Sequence, residues 1–214
     1  MDKDQERRLV KAASKDPQAF GALYDAYVAR ILSYTYRLLG SFTDAEEATS
    51  ETFYKALRAI GRFRWRRCGF LPWLYRIAAN ESANVQRKRA RGAESPLPDQ
   101  LPGPVRDELE ETEAASSGRE LARALARALA EIDPRDRHIV TLHYFQGETY
   151  ALIAQSAGVK ESAVRVRAMR ALRKLEQRLE MEGWNHGRAH DAGWAAGVGG
   201  CAEVPGLSET AARL

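Results

Sequence analysis

The chain has 214 residues, of which 44% are hydrophobic and 29% are charged, and its formal net charge is +4 at pH 7. This length predicts one or two domains, and basic segments alternate with acidic ones instead of coating the whole chain. Two cysteines alone, Cys68 and Cys201, exclude a disulfide scaffold and favour a reducing compartment. Because no apolar run approaches a membrane span or a signal-peptide core, we expect a cytoplasmic protein.

The first forty residues predict one long helix after a short charged arm or helix at residues 1–15. Asp16 followed by Pro17 is a strong helix start, since Asp caps free N–H groups and Pro fits the first turn. Apolar residues then recur at helical spacing as far as Gly40, which ends the helix. We expect the tyrosines of this helix to fill a core rather than to contact nucleic acid.

Residues 43–60 predict a second helix with two different faces. Thr43 and Glu46 have the spacing of a capping box at its start. A buried stripe follows at i, i+3 and i+4 spacing, formed by Ala45, Thr49, Phe53, Ala56, Leu57 and Ile60. Asp44, Glu47 and Glu51, which we call the acidic ridge, project from the opposite side and suit a basic protein partner. If the chain's own arginines neutralised these carboxylates, no surface for such a partner would remain.

The sign of the charge inverts after Gly61, because residues 62–91 carry nine Lys or Arg and one acid. In residues 62–67, which we call the aromatic-basic loop, cations alternate with Phe63 and Trp65. Such a composition neutralises phosphates and offers rings to unstacked bases. Pro72 suits the first turn of a third helix, whose stripe runs from apolar and aromatic residues to amides and cations.

This stretch resembles the conserved second region of the extracytoplasmic-function sigma factors, the smallest class of the sigma-70 family. The resemblance covers roughly residues 17–91 and rests on Ala45-Glu46-Glu47, Glu51-Thr52-Phe53, Phe70, Trp73-Leu74, Ile77-Ala78 and Asn80. Ser50 and Asn84 depart from it, since the family more often has Gln and Asp at those positions.

The resemblance implies two binding surfaces in the first ninety residues. The acidic helix would grip the clamp helices of the β′ subunit of core RNA polymerase, through Asp44, Glu47, Glu51 and Phe53. The aromatic-basic loop and the next helix would capture and melt the promoter's −10 element. The residues implied there are Arg62, Phe63, Arg64, Trp65, Arg66, Trp73, Asn80, Asn84, Arg87, Lys88 and Arg91.

Residues 92–116 predict a flexible acidic linker, because they hold four prolines and seven acids against one Arg. Composition alone supports a plain spacer. The resemblance implies in addition that the linker threads the polymerase toward the RNA path.

The next segment predicts a helix-turn-helix. Ser117 with Glu120 and then Asp133 with Pro134 mark two helix starts. Thr149 caps a short helix at 150–157, Gly158 makes a tight turn with Val159 packed beneath it, and a last helix begins at Lys160 or Glu161 and ends at Met181. Short helix, glycine turn and longer helix are typical of this motif. The cations of the last helix favour insertion into the major groove over a merely solvated face.

A recognition helix contacts bases from its first turns, so Glu161, Ser162, Arg165 and Arg167 are candidate base readers. An Arg bidentate to guanine contributes about 1–3 kcal/mol of discrimination. Residues 159–175 resemble the fourth region of the same sigma class, which reads the −35 element. The residues implied there are Lys160, Glu161, Ser162, Arg165, Arg167 and Arg170.

Residues 182–214 are rich in glycine and predict a disordered tail or a weakly docked appendage. His186, His190 and Cys201 lack tight ligand spacing, so we predict neither a metal site nor a cofactor. Phosphate-cradle, metalloprotease and serine-hydrolase motifs are absent from the sequence, which argues against an enzyme.

The sequence thus predicts an all-α fold of two small helical modules joined by a flexible acidic linker. The boundaries are 1–91, 92–116 and 117–181, with the tail at 182–214. By the resemblance the protein is a sigma factor that binds core RNA polymerase, promoter DNA and an anti-sigma factor.

Two alternatives stay open, a stand-alone helix-turn-helix regulator and a factor whose basic faces bind an acidic protein. The acidic ridge disfavours the first, because a lone repressor has no use for it. The aromatic residues of the basic loop disfavour the second.

Overall fold

The structure is a computed structural model that describes residues 1–91 and 113–184, apart from the side chains of 113–119, 122 and 123. Every regular element in these two ranges is helical, which confirms the predicted all-α class. The helices are α1 (Lys3–Ala12), α2 (Pro17–Leu39), α3 (Phe42–Ala59), α4 (Leu71–Arg91), α5 (Glu113–Glu131), α6 (Pro134–Val140), α7 (Tyr150–Ala157) and α8 (Glu161–Met181). A 3-10 turn follows α3 at Ile60–Arg62, and α6 continues as a π-helical turn at Thr141–Phe145. Most of the predicted linker and nearly all of the predicted tail lie outside the described residues, as do His186, His190 and Cys201.

Local capping signals set several helix ends where the sequence predicted them. The Asp16 carboxylate accepts a hydrogen bond from the N–H of Gln18, and Gly40 ends α2 with a φ of 69°. Asp133 caps α6 and Thr149 caps α7 in the same way. The helix-turn-helix of α7, Gly158 and α8 also begins and ends as predicted.

Three local predictions are wrong. Ser41, not Thr43, caps α3, because its hydroxyl accepts the N–H of Asp44 while Thr43 already lies inside the helix. Leu57 and Val159 were expected in the core but are 45% and 41% exposed. The fifth helix begins at Glu113, four residues before the predicted start at Ser117, since no helix breaker lies between them.

The two predicted modules share one hydrophobic core. Leu23, Ile31 and Tyr34 of α2 are fully buried in the same cluster as Leu142 and Ile153 of the second module. A smaller cluster, made of Ala124, Ala128, Leu129, Ile132, Val140, Ala171, Leu175 and Leu179, packs α5 against α8. The structure is therefore a closed arrangement in which α7 packs on α4.

Helix α1 is a packed element that fixes the start of α4. The carboxylate of Glu6, which is 6% exposed, accepts hydrogen bonds from the Tyr27 hydroxyl at 2.6 Å and from the N–H of Phe70 at 3.0 Å. Gly69 precedes Phe70 with a φ of +80°, and a Cβ there would lie 2.6 Å from Oε2 of Glu6. Only glycine fits this turn without displacing the carboxylate.

We predict that Gly69→Ala lowers the free energy of unfolding by about 3 kcal/mol, because left-handed backbone strain and steric overlap add together. Gly158→Ala is the matched control, since its φ is +70° but nothing lies within 4 Å of the added methyl group. The control should lose only the strain, about 1 kcal/mol. Urea unfolding of both variants measures the difference, and equal losses would contradict the close approach of Glu6.

Candidate polymerase and nucleic-acid interfaces

Each carboxylate of the acidic ridge has an ion-pair partner within the chain. Asp44 pairs with Arg89, Glu47 with Lys88 at 3.2 Å, and Glu51 with Lys55 at 3.3 Å. The Asp44 side chain is also only 22% exposed. It joins α3 to α4, which removes Asp44 from the residues available to a partner.

The other two ridge residues remain available. Glu47 and Lys88 are both more than half exposed, and Glu51 and Lys55 are both close to that. Exposed pairs of this kind contribute about 0–1 kcal/mol, so the cations of a partner can replace the lysines. Glu46 on the same helix is exposed and has no ion-pair partner among the described residues.

Phe53 does not belong to this surface. It is 4% exposed, and its ring packs 4.8 Å from that of Tyr24 and 6.5 Å from that of Phe20, measured between centroids. Its helical position is inward, as the stripe predicted, so its ring contacts the core and is not on the exposed face of α3. The exposed apolar side chains of α3 are Phe42, Tyr54 and Leu57.

The aromatic-basic loop presents cations around a cluster of rings. The Phe63 centroid lies 5.1 Å from that of Trp73, 5.3 Å from that of Phe70 and 6.3 Å from that of Trp65. Phe63, Trp65 and Trp73 are half-buried, so each ring keeps an accessible part. The exposed guanidinium groups around them have no ion-pair partner in the part of the chain that the structure describes; they belong to Arg62, Arg64, Arg66 and Arg67.

The polar end of α4 is partly engaged in local contacts. Asn84 donates to Oε2 of Glu81 at 3.2 Å and accepts from Arg87. Lys88 pairs with Glu47, whereas Asn80 and Arg91 are exposed without such a contact among the described residues. The contacts with Glu81 and Arg87 therefore hold the Asn84 side chain in a fixed orientation, whereas Asn80 and Arg91 on the same helix remain exposed.

The cations of α8 lie in two different environments, one exposed to solvent and one paired with a buried carboxylate of α6. Arg165 is exposed, pairs with Glu161 at 2.6 Å and lies 4.8 Å from the ring centroid of Tyr150. Arg167 instead donates from Nε to Oδ1 of Asp136 at 3.0 Å, and that carboxylate side chain is only 8% exposed. The guanidinium group of Arg167 fastens α8 to α6, so this ion pair competes with the predicted role of Arg167 as a base reader.

The rest of the predicted −35 surface is exposed, namely Lys160, Glu161, Ser162 and Arg170. Two apolar residues on this face were missed, Val166 at 48% and Met169 at 59% exposure. The signal was available, because they lie opposite the buried stripe of Val164 and Ala168.

A buried polar network joins the two modules. The Glu148 side chain is 7% exposed and accepts hydrogen bonds from Arg30 at 2.6 Å and from the Tyr75 hydroxyl at 3.0 Å. Burial raises the pKa of Glu148, an effect that Arg30 opposes. Nearby, the N–H of Cys68 donates to Oε1 of Gln155 at 3.1 Å, so the aromatic-basic loop adjoins α7. No sequence pattern singled out Glu148.

His138 lies in the same interface as a neutral imidazole. The Ser156 hydroxyl donates to the carbonyl of Ile153, so it accepts from Nε2 of His138 at 3.0 Å. Nδ1 then accepts from the Tyr34 hydroxyl at 2.6 Å. Burial lowers the pKa of His138 to about 4. A second proton on the ring would take away the acceptor of the Tyr34 hydroxyl.

Among the described residues, no cluster of His, Cys, Asp and Glu could hold a metal ion. None of the described helices is both long and apolar enough to cross a membrane.

We predict that Arg167→Ala lowers the free energy of unfolding by about 2 kcal/mol, because it leaves the buried carboxylate of Asp136 without its nearest donor. Arg170→Ala is the matched control on the same helix and should change stability by less than about 0.5 kcal/mol. Thermal and urea unfolding measure both variants. Equal stability of the two would return Arg167 to the list of base readers.

We predict that acid weakens the closed structure through His138. Its pKa of about 4 in the folded chain lies below the ordinary 6.5, so the stabilisation is complete above pH 6.5 and is lost as the pH falls toward 4. The loss between pH 7 and 4.5 should be about 2 kcal/mol. Urea unfolding of the parent and of His138→Gln at both pH values isolates this residue, since Glu148 titrates in both proteins. Identical losses would exclude His138 as the cause.

Comparison with known proteins places both modules in one family. Residues 23–92 match the family described as Sigma-70 region 2, and residues 122–175 match the family described as Sigma-70, region 4. The chain is 33% identical over 170 residues to the ECF RNA polymerase sigma factor BldN of Streptomyces coelicolor, which covers 79% of this chain and 63% of that relative. It is 30% identical over 176 residues to the ECF RNA polymerase sigma factor SigL of Mycobacterium tuberculosis, covering 80% and 97%.

Comparison with solved structures supports the same family. The structure of CnrH in complex with the cytosolic domain of CnrY matches with a TM-score of 0.60 and 27% identity, over 83% of this chain and 99% of that chain. The sigma factor RpoE from Bartonella quintana, solved with the anti-sigma factor NepR, shares the fold with a TM-score of 0.57 and 19% identity, over 75% and 96%. Regions 2 and 4 thus occur in order in a chain that covers nearly all of a relative 30% identical to it, and the chain belongs to the extracytoplasmic-function sigma factors of the sigma-70 family.

Proposed function

We propose that the protein binds core RNA polymerase and directs it to promoters by contacting two DNA elements. The observation that carries this proposal is the separation of charge within the matched region 2. Helix α3 exposes carboxylates, whereas the neighbouring aromatic-basic loop exposes rings and cations that have no ion-pair partner among the described residues. A stand-alone helix-turn-helix regulator would need only the second module, so region 2 disfavours that alternative.

The polymerase-binding surface in this proposal is the exposed face of α3. It combines Glu46, Glu47 and Glu51 with the exposed side chains of Phe42 and Tyr54. An apolar patch rimmed by charge is typical of a protein interface. This surface replaces the sequence-derived set, since Asp44 and Phe53 serve the fold.

The two DNA-binding surfaces in this proposal follow the predicted modules, 1–91 and 117–181, with the second extended to begin at residue 113. The −10 surface comprises the aromatic-basic loop and the exposed part of α4. The −35 surface comprises the first three turns of α8 without Arg167. Residues 92–112 would then tether the modules, and fixing both on one polymerase raises the effective concentration of the second contact.

Binding both elements at once requires the modules to separate. The −10 and −35 elements are about 25 base pairs apart, which is about 85 Å at 3.4 Å per pair. Helix α2, with 23 residues the longest described, spans only about 35 Å. In the closed structure α7 packs directly on α4, so the interface around Glu148 would open when the polymerase binds.

The protein would act by binding rather than by catalysis, and it would act in the cytoplasm, where its polymerase is. CnrH was solved with the cytosolic domain of CnrY, and RpoE was solved with the anti-sigma factor NepR. A comparable anti-sigma factor would regulate this chain by occupying surfaces that the polymerase needs.

Run-off transcription with purified core polymerase on a library of genomic fragments tests the proposal. The parent protein should yield transcripts that begin at a shared pair of elements. No transcripts above the core enzyme alone would contradict it.

We predict that Glu47→Lys combined with Glu51→Lys abolishes co-elution with core polymerase, because four units of charge change on the surface that meets a cationic groove. Both side chains are exposed or partly exposed, so the circular dichroism spectrum should not change. Glu120→Lys combined with Glu180→Lys is the matched control, since these exposed residues of the second module undergo the same change in charge. Unchanged co-elution of the first double variant would remove α3 from the polymerase interface.

A further inference from the structure

A surface depression of about 290 Å³ lies between α1 and the aromatic-basic loop. Val10 and Ile60 form its apolar floor, and both are at least 93% buried. One wall consists of Gly61 and the rings of Phe63 and Trp65. The opposite wall consists of Arg7 and Lys11 of α1 and of Ser14 in the turn that follows α1.

The wall from α1 is cationic because of helical spacing. Arg7 and Lys11 stand at i and i+4, so they share one face of α1, which is the face beside the loop, and Ser14 follows in the turn after the helix. Neither cation has an ion-pair partner among residues 1–91 and 113–184. By contrast, several cations of α4 and α8 are paired with carboxylates. An unpaired cation keeps its full attraction for phosphate.

The depression is held at a fixed width by contacts between its two sides. Glu6, one residue before Arg7, binds the N–H of Phe70 just after the loop. At the other end of α1, Cβ of Ser14 lies 4.0 Å from the position that a Cβ on Gly61 would occupy. A pre-formed cleft between rings and cations loses little entropy when a ligand enters it.

We propose that α1 forms the second wall of a single-stranded DNA site, with Arg7 and Lys11 binding phosphates while Phe63 and Trp65 stack on a base. Rings that accept unstacked bases beside a cationic track for the backbone are the general design of such sites. This inference rests on the proposed function and adds to it, since the sequence assigned residues 1–15 no role in binding.

The test uses holoenzyme made from full-length variants and core polymerase. The probe is a promoter fragment from the run-off screen that carries a mismatched bubble at the −10 element. Arg7→Ala combined with Lys11→Ala should weaken binding by roughly tenfold. It should also reduce the slope of log affinity against log salt concentration by about 1.4, since each single-strand phosphate contact contributes about 0.7.

Arg8→Ala combined with Lys15→Ala is the matched control, because it removes the same charge from exposed positions of the same segment that do not line the depression. This variant should bind within about twofold of the parent and keep its salt slope. Equal weakening by both double variants would overturn the site in favour of a general charge effect.

A second measurement distinguishes DNA from protein as the ligand. A photo-crosslinking amino acid in place of Ser14 should react with the non-template strand of the bubble. Crosslinks to polymerase subunits alone would overturn the proposal. If the parent holoenzyme transcribes normally and Arg7→Ala with Lys11→Ala matches it in affinity and salt slope, only this inference fails. If the parent neither transcribes nor binds the bubble, the proposed function fails as well.

Discussion

The closed structure depends on one buried carboxylate, that of Glu148. This residue belongs to the second module, and its side chain is shielded from water only where it packs against the first module. Arg30 and Tyr75 supply its two donors, and both belong to the first module. Burying a carboxylate costs several kcal/mol before its partners repay most of that energy, so such a pair orients two bodies more than it stabilises them. On separation water would solvate Glu148 and Arg30. The contacts of Glu148 therefore fix the geometry of the interface, while the shared hydrophobic core also holds the two modules together.

The pairing of charges, rather than their number, distinguishes scaffold from binding surface in this chain. Arg89 and Arg167 each bind a poorly exposed carboxylate and join helices together. Arg64 and Arg66 in the loop have no such partner among the described residues, and neither does Arg7 on α1. These five arginines all lie in charged segments, so the number of charges in a segment does not distinguish them. Only the fold shows which of them are engaged in ion pairs among the described residues.

Local features were predictable from the sequence, and distant contacts were not. Asp16 and Gly40 set the ends of α2 because capping acts within one turn, and the stripe of α8 follows from periodicity alone. The partner of Arg167 lies 31 positions away in the chain, and that of Arg30 lies 118 away. No spacing rule reaches across those distances. The same limit explains why the sequence did not predict the ion pairs of the acidic ridge or the packing of the two modules against each other.

Glu6 has a practical consequence for anyone who shortens this protein. The match to region 2 begins only at residue 23, so a fragment trimmed to that boundary keeps the side chains that the family resemblance implies for the −10 element but loses Arg7 and Lys11. It would nevertheless lack the carboxylate that receives the N–H of Phe70 and the hydroxyl of Tyr27. The buried N–H of Phe70 and the partly buried hydroxyl of Tyr27 would then lose their acceptor, and the loop would lose its contact with α1. A bulky affinity tag that displaced α1 would weaken the same contacts of Glu6 to a smaller degree. Tags are therefore better placed at the C-terminus.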